Sequence, residues 1–349
     1  MSLLRSLLSL VVVLCAAPLC AAEWPCPLDS AIAPCVCIAD SYDLIMDCSD
    51  VTSTDRLEEV FQTHFAFSDF KRLIINPTFP SNSLVILTDG IFGSVNFEEI
   101  DITNTFIQTV EEEVLVNSHI TLWRLNMGGN EINSFPFETL DLFTKLLELD
   151  LSYNKLSGPM KDIETEGLIS LDLSGNTGLT LTQTAFTGTP YLEQLRLNNM
   201  GLGDTTPPNV FLPLTYLRTL YLENNGISGT LIEDFINPEL KPLTSVYLDG
   251  NSLSQIHPLS VTGMEAEGTI SFRNNLIVYL YREDWEGLVS QLSNANAIDL
   301  RDNPLVCGCD LVWLVLDADL MAIFHAETKC DGGAYMVDLP IDWFHEHCS

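Results

Sequence analysis

Between Cys48 and Cys307 the chain has no cysteine, a gap of 258 residues. Most of the molecule must therefore hold together without disulfides. Basic residues are scarce: 15 Lys and Arg stand against 48 Asp and Glu, a formal net charge of −33. A surface this acidic repels phosphate backbones and anionic lipid, which argues against nucleic-acid binding and membrane insertion. It serves solubility, or it attracts a cationic partner over long range. Sequons are missing too, because Asn76-Pro77-Thr78 is blocked by its proline. Beyond the N-terminus no apolar run is long enough to span a bilayer; the best, Leu311 to Phe324, carries Asp317 and Asp319. G-x-S-x-G, G-x-G-x-x-G, a Walker loop and H-E-x-x-H are all lacking, so no common catalytic or cofactor motif is present and no cofactor is implied.

What the chain does have begins with MSLLRSLLSLVVVLCAAPLCAAEW: one arginine, an apolar run, then small residues with Cys20 and Ala22 at −3 and −1 of a cut. This reads as a secretory signal peptide over residues 1–22. A membrane anchor is the rival reading, but a spanning helix needs ~20 apolar residues and a basic flank, whereas Pro18 and Glu23 interrupt. Cleavage would remove Arg5, taking −33 to −34, and Cys15 and Cys20, taking ten cysteines to eight. Those eight form two quartets, 26, 35, 37, 48 and 307, 309, 330, 348. An even count in an exported chain reads as disulfides, with zinc the rival and no CxxC…CxxC spacing to support it. In NPLVCGCDLVWLV, Asn303 to Val315, the two sulfurs are too close in sequence to pair comfortably. Each must reach forward, and only Cys330 and Cys348 lie downstream.

Between the quartets the template L-x-x-L-x-L-x-x-N-x-L fits ten times, starting at 70, 97, 122, 146, 168, 192, 217, 243, 267 and 295. The cleanest copies are LLELDLSYNKL (146–156), LRTLYLENNGI (217–227) and LTSVYLDGNSL (243–253). Such a period marks leucine-rich repeats. In L-x-L the two leucines point to one side of a short strand and the residue between them to the other. The asparagine position holds Asn130, Asn154, Asn176, Asn225, Asn251, Asn275 and Asn303, with Thr78, Thr105 and Met200 as exceptions. An amide both donates and accepts, so a buried ladder of such side chains can satisfy backbone groups where each coil turns away from its strand.

No coil buries its own leucines; stacked coils bury them against their neighbours. The expected fold is therefore α/β, a leucine-rich repeat solenoid with a curved parallel sheet on its concave face. Its two open ends would be closed by the cysteine quartets as caps. The expected organisation is a signal peptide over 1–22, an N-terminal cysteine cap and first helical segment over 23–69, about ten repeats over 70–305, and a C-terminal cysteine cap over 306–349.

The spacing C-x8-C-x-C-x10-C ahead of the repeats, and N-P-L-x-C-x-C-x-L-x-W-L after them, resembles the caps of extracellular leucine-rich repeat proteins. That resemblance implies bonds Cys26–Cys37, Cys35–Cys48, Cys307–Cys330 and Cys309–Cys348, with Trp313 packed over the last coil. More narrowly, IAPCVC (32–37), SFPFETL (134–140), NPLVCGCDLVWLV and the short acidic tail are similar to the arthropod family named after the non-catalytic subunit of Oplophorus-luciferin 2-monooxygenase. The resemblance covers the whole mature chain. It implies a secreted, non-enzymatic subunit that binds and stabilises a small catalytic partner.

Two clusters invite a chemical reading. His345-Glu346-His347 would chelate a metal if it were a strand, but it abuts Cys348 and reads more simply as solvated cap surface. Glu111 to Glu113 reads as a solvated convex face. The informative surface is the concave sheet, positions 3, 5 and 7 of the template. Its first half is mostly acidic. Its second half places Tyr221 beside Tyr247, with Glu223 and Asp249 following and Arg196 and Arg273 flanking. Tyr and Arg are enriched at interface hot spots, so these six residues are the candidate partner-binding site; tyrosine's liking for strands is the plain alternative. Three classes compete: a binding scaffold for another protein, an extracellular recognition or adhesion module of the immune or cell-surface type, and an enzyme, for which no motif speaks.

Overall fold

In a computed structural model the described residues are 25–348, apart from 41, 42, 81, 82, 166 and 239. The signal-peptide reading of residues 1–22 lies outside them. Twelve strands form one sheet in which neighbours in space follow chain order, from Val36–Asp40 to Ile298–Asp299. Every pairing is parallel except the first, where Val36–Asp40 runs antiparallel to Asp43–Asp47. Along the middle repeats each strand is only three residues, such as Glu148–Asp150 and Thr219–Tyr221, because each coil must turn as soon as its two inward leucines are placed. Register is kept from coil to coil. Leu125, Leu149, Leu171, Leu195, Leu220, Val246, Ile270 and Ile298 form one inward column, and all are buried in a single continuous core.

Away from the main sheet the coils return through turns, short 3-10 segments and three two-stranded parallel pairs, among them Ser228–Leu231 with Ser252–Ile256. Longer helices appear near the ends. Helix Thr54–Phe61 starts at Ser53, whose hydroxyl accepts from the Arg56 amide at 3.2 Å, and buries Leu57, Val60 and Phe61. Helix Arg282–Val289 buries Trp285 completely, with its ring edge-on to Phe272. Among the described residues no helix is long and apolar enough to cross a membrane. The apolar stretch 311–324 is broken into Val312–Val315 and Ala318–Ile323, with Asp317 capping the second.

The asparagines stitch adjacent coils. Asn154 donates to Leu151 O in its own coil and to Met127 O in the coil before, both at 2.9 Å, and its Oδ1 accepts from the Ile132 amide. Asn130, Asn176, Asn251, Asn275 and Asn303 repeat this pattern of one donated bond within the coil and one across; Asn225 donates across to Leu197 O at 2.8 Å. At Met200 no such amide exists. The neighbouring Asn198 faces the concave side, where its Oδ1 accepts from the Glu223 amide, and Asn199 sits in the left-handed region at φ 56°. Thr105 takes part differently, sending its amide and hydroxyl to Asn130 Oδ1.

Each end is closed by its own pair of disulfides: Cys26–Cys37 and Cys35–Cys48 at the front, Cys307–Cys330 and Cys309–Cys348 at the back. Trp313 lies against the core and donates its indole N–H to Leu280 O at 2.9 Å. The fold is thus a leucine-rich repeat solenoid with capped ends.

Candidate functional site

One residue along each strand from the inward column, the side chains point outward. That outward column reads Asp101, Asn126, Asp150, Asp172, Arg196, Tyr221, Tyr247, Ser271, Asp299 in exact register. It is acidic at both ends and aromatic and cationic between. The strand spacing of ~4.8 Å sets the interval at which these side chains repeat.

The two tyrosines use that interval. Their rings lie 4.8 Å apart and within 11° of parallel, and the Arg196 guanidinium carbon lies 4.6 Å from the centre of the Tyr221 ring. Three flat groups thus stack along the solenoid axis, with ring edges toward solvent. Arg196 is held by Gln194, whose Oε1 accepts from Nη1 at 2.7 Å. Arg273 does not reach the rings. It turns instead toward Asp302 at 3.2 Å and Asp299 at 4.0 Å, so the tyrosine pair is flanked by a cation on one side only.

Two residues beyond the tyrosines, Glu223 and Asp249 sit on adjacent coils. Burial pushes the Glu223 carboxyl above its ordinary value; its own backbone amide pulls it back, the charge of Asp249 adds to the rise, and Arg196 opposes it. Glu223 Oε2 is buried without a hydrogen-bond partner. Asp249 is likewise raised, first by burial and further by Asp299, while bonds from Ser271 and the Arg273 amide oppose the rise. Its Oδ1 accepts from the Ser271 hydroxyl and, at 2.9 Å, from the Arg273 amide. Asp172 at the other end is raised by burial as well. For Asp299 burial acts upward, yet hydrogen bonds from Arg301 outweigh it and hold the carboxyl below its ordinary value.

Beside Arg196 lies a shallow depression of about 550 Å³, whose walls include Arg124, Glu148, Asp172, Glu193 and Arg218. Arg124 pairs with Glu148 at 3.2 Å, and Arg218 with Glu265 at 3.5 Å. Arg218 and Glu193 were not among the sequence candidates, because both occupy the second template position, just ahead of the strand. Next to them Tyr191 and Tyr216 pack with ring centres 5.1 Å apart, and Lys241 lies 5.7 Å from the centre of the Tyr216 ring. A preference for Tyr followed two residues on by Glu or Arg, at the strand entry, was the available signal.

The residues 345–347 belong to helix Ile341–His347 and not to a strand. Positions two apart on a helix do not face each other, so His345 and His347 diverge, and the His347 ring stacks on Trp343 at 4.9 Å. Among the described residues no group of three or more His, Cys, Asp or Glu is arranged to hold a metal ion.

Residues 216–238 match the model of the Leucine Rich Repeat family. Over 326 residues the chain is 29% identical to the Oplophorus-luciferin 2-monooxygenase non-catalytic subunit of Oplophorus gracilirostris, covering 93% of this chain and 88% of that one. It is also 29% identical to Toll-like receptor 3 of Boselaphus tragocamelus, but over 39% of this chain and only 16% of the receptor's length. Among solved structures, a chain of an octameric complex of Latrophilin 3, Unc5D and FLRT2 superposes with a TM-score of 0.62 at 17% identity, covering 87% of each chain. At that identity the likeness concerns the fold alone.

Proposed function

We propose that this leucine-rich repeat protein is a secreted scaffold that binds and stabilises a small catalytic partner of the luciferase kind on the second half of its concave face. It is not an enzyme itself: its relative over nearly the whole chain is named a non-catalytic subunit, and the fold is an interaction scaffold. The observation that carries the reading is the Arg196–Tyr221–Tyr247 stack, a rigid aromatic and cationic ridge in an outward column that is otherwise mostly acidic. Such residues dominate binding energy when covered, because they bring large area at small entropic cost.

The test has two stages. Crosslinking and pull-down from native tissue with mass spectrometry identifies a stoichiometric partner. Titration of that partner against wild type and the Tyr221→Ala/Tyr247→Ala variant then reads the site. Single hot-spot truncations cost ~2 kcal/mol or more, so affinity should fall at least about tenfold while the melting curve is kept. Unchanged affinity would move the site to the convex face or the caps. Light emission by the lone chain with a luciferin would overturn the scaffold reading.

The match to a Toll-like receptor favours one second reading, an extracellular recognition or adhesion module. A microbial or receptor ligand in the pull-down, in place of an enzyme, would select it.

A further inference from the structure

The outward column is stacked tightly from Arg196 to Tyr247 and then drops. Guanidinium to ring is 4.6 Å and ring to ring is 4.8 Å. The next residue in register is Ser271, and the one after it is Asp299. One strand interval beyond Tyr247, where a flat group would continue the stack, the chain supplies only a short hydroxyl side chain. That serine is buried at the floor of the step, its hydroxyl bonded to Asp249. Among the described residues no ring and no cation lies against the far face of Tyr247. Arg273, the cation on the Ser271 coil, pairs with Asp302 at 3.2 Å and comes within 4.0 Å of Asp299, and it does not lie over the Tyr247 ring.

The surroundings of the step define what fits. Its first wall is the face of an aromatic ring, which attracts cations. The Asp249 carboxylate reaches into the layer of Ser271, and Asp299, already paired with Arg301 at 2.7 Å, forms the far wall.

We propose that this step receives one guanidinium group, the side chain of an arginine that a protein partner inserts against the free face of Tyr247. The arginine would extend the stack to Arg196–Tyr221–Tyr247–Arg and turn its edge N–H groups to the Asp249 carboxylate. Arginine suits the place where lysine does not, because its flat fork stacks and donates to carboxylates in fixed geometry. A neutral aromatic ring would fit the height but leave Asp249 desolvated with no opposite charge gained. The net charge of −33 draws a basic partner toward this face. Asp249 gains from such a neighbour too, since burial and Asp299 already press its carboxyl toward the neutral form. This proposal rests on the concave face being the partner surface, and it names the chemistry that surface selects.

The probe is N-acetyl-arginine amide, titrated into the full mature protein with the tyrosine ring signals followed by NMR. The Tyr247 signals, assigned by their loss in Tyr247→Leu, should shift saturably. The lysine counterpart should bind at least about tenfold more weakly, and the uncharged citrulline counterpart should give no saturable shift. Ser271→Phe fills the layer from within and should abolish the response. If that variant does not fold, Asp249→Asn, which keeps an oxygen for Ser271 and the Arg273 amide, should weaken the probe about tenfold. Equal binding of arginine and citrulline, or a response untouched by both substitutions, would sink the proposal. With the native partner, loss of binding in Tyr221→Ala/Tyr247→Ala but not in Ser271→Phe or Asp249→Asn overturns the arginine step and leaves the scaffold reading standing. Binding unaffected by any of them overturns both.

Discussion

Asn154 and Leu151 occupy one turn, and the amide of the first closes on the carbonyl of the second at 2.9 Å. The leucine is fully buried and the asparagine nearly so. Leu151→Ala should therefore cost ~2–5 kcal/mol as a cavity in a closed core. Asn154→Ala strands the Ile132 amide, at ~1–3 kcal/mol for a buried donor left unmet, while the carbonyls of Met127 and Leu151 keep the amides of Asn130 and Asn176. Asp150, just before Leu151 and on the outward column, accepts from the Ser152 amide, so Asp150→Ala should rank last in thermal melts. If it ranked first, inward and outward faces would be exchanged.

The C-terminal clasp should act locally. Cys309–Cys348 closes a loop with a sequence separation of 39, and its removal by Cys309→Ser should cost ~2–4 kcal/mol through loop entropy. Because each coil touches only its neighbours, the loss should appear first as faster amide exchange in residues 298–330, with coils near Leu125 unchanged. Uniform acceleration along the chain would contradict this.

Acid should first help this protein. Glu223, Asp249 and Asp172 have carboxyls raised by burial, so the folded state binds protons more readily than the unfolded one. For a raised carboxyl the charged form costs stability above the folded pKa, and that cost is relieved as pH falls toward the unfolded value. Melting temperature should accordingly rise on going from pH 7 toward the upper edge of the carboxylate range. It should fall in stronger acid, where Asp299, held low by Arg301, is protonated and its pairing is lost. Glu223→Gln should be neutral or stabilising at pH 7 and flatten the first rise. A melting temperature that falls steadily from pH 7 downward, in wild type and Glu223→Gln alike, would contradict this assignment.

Salt should stabilise the fold. With 48 acidic residues against 15 basic ones, repulsion between carboxylates outnumbers the ion pairs, and screening shortens its reach from ~30 Å at 0.01 M to ~8 Å at 0.15 M. Melting should shift upward over that range in sodium chloride. A downward shift would mean that pairs such as Arg72–Asp101, at 2.6 Å, outweigh the general repulsion.

The solenoid was legible in the sequence because its determinants are periodic. Leu149, Leu151 and Asn154 each repeat one coil later as Leu171, Leu173 and Asn176, and a pattern kept in phase needs no knowledge of distant contacts. The Tyr221 and Tyr247 pairing followed from the same phase. The setting of Arg273 did not, since its direction is decided by Asp302, which lies 29 residues on. Arg218 escaped because a template of alternating strand positions ignores the residue before the strand. The helix over 341–347 was missed because three residues were read in isolation from Pro340, which opens it.

Met200 leaves a seam in the molecule. Among the described residues Leu173 O receives the amide of Asn176 from its own coil, while the coil that follows has a methionine where every later one has an asparagine. The two coils remain joined by Leu173 to Arg196 at 3.0 Å and Gly175 to Asn198 at 2.8 Å, by the Asn198 amide to Ser174 Oγ, and by the stacked rings of Phe186 and Phe211. Under tension, or in a protease digest, this is where the solenoid should tear. The whole stack from Arg196 to Tyr247 lies on one side of the tear line, so the acidic front half can loosen without disturbing the grip of the back half.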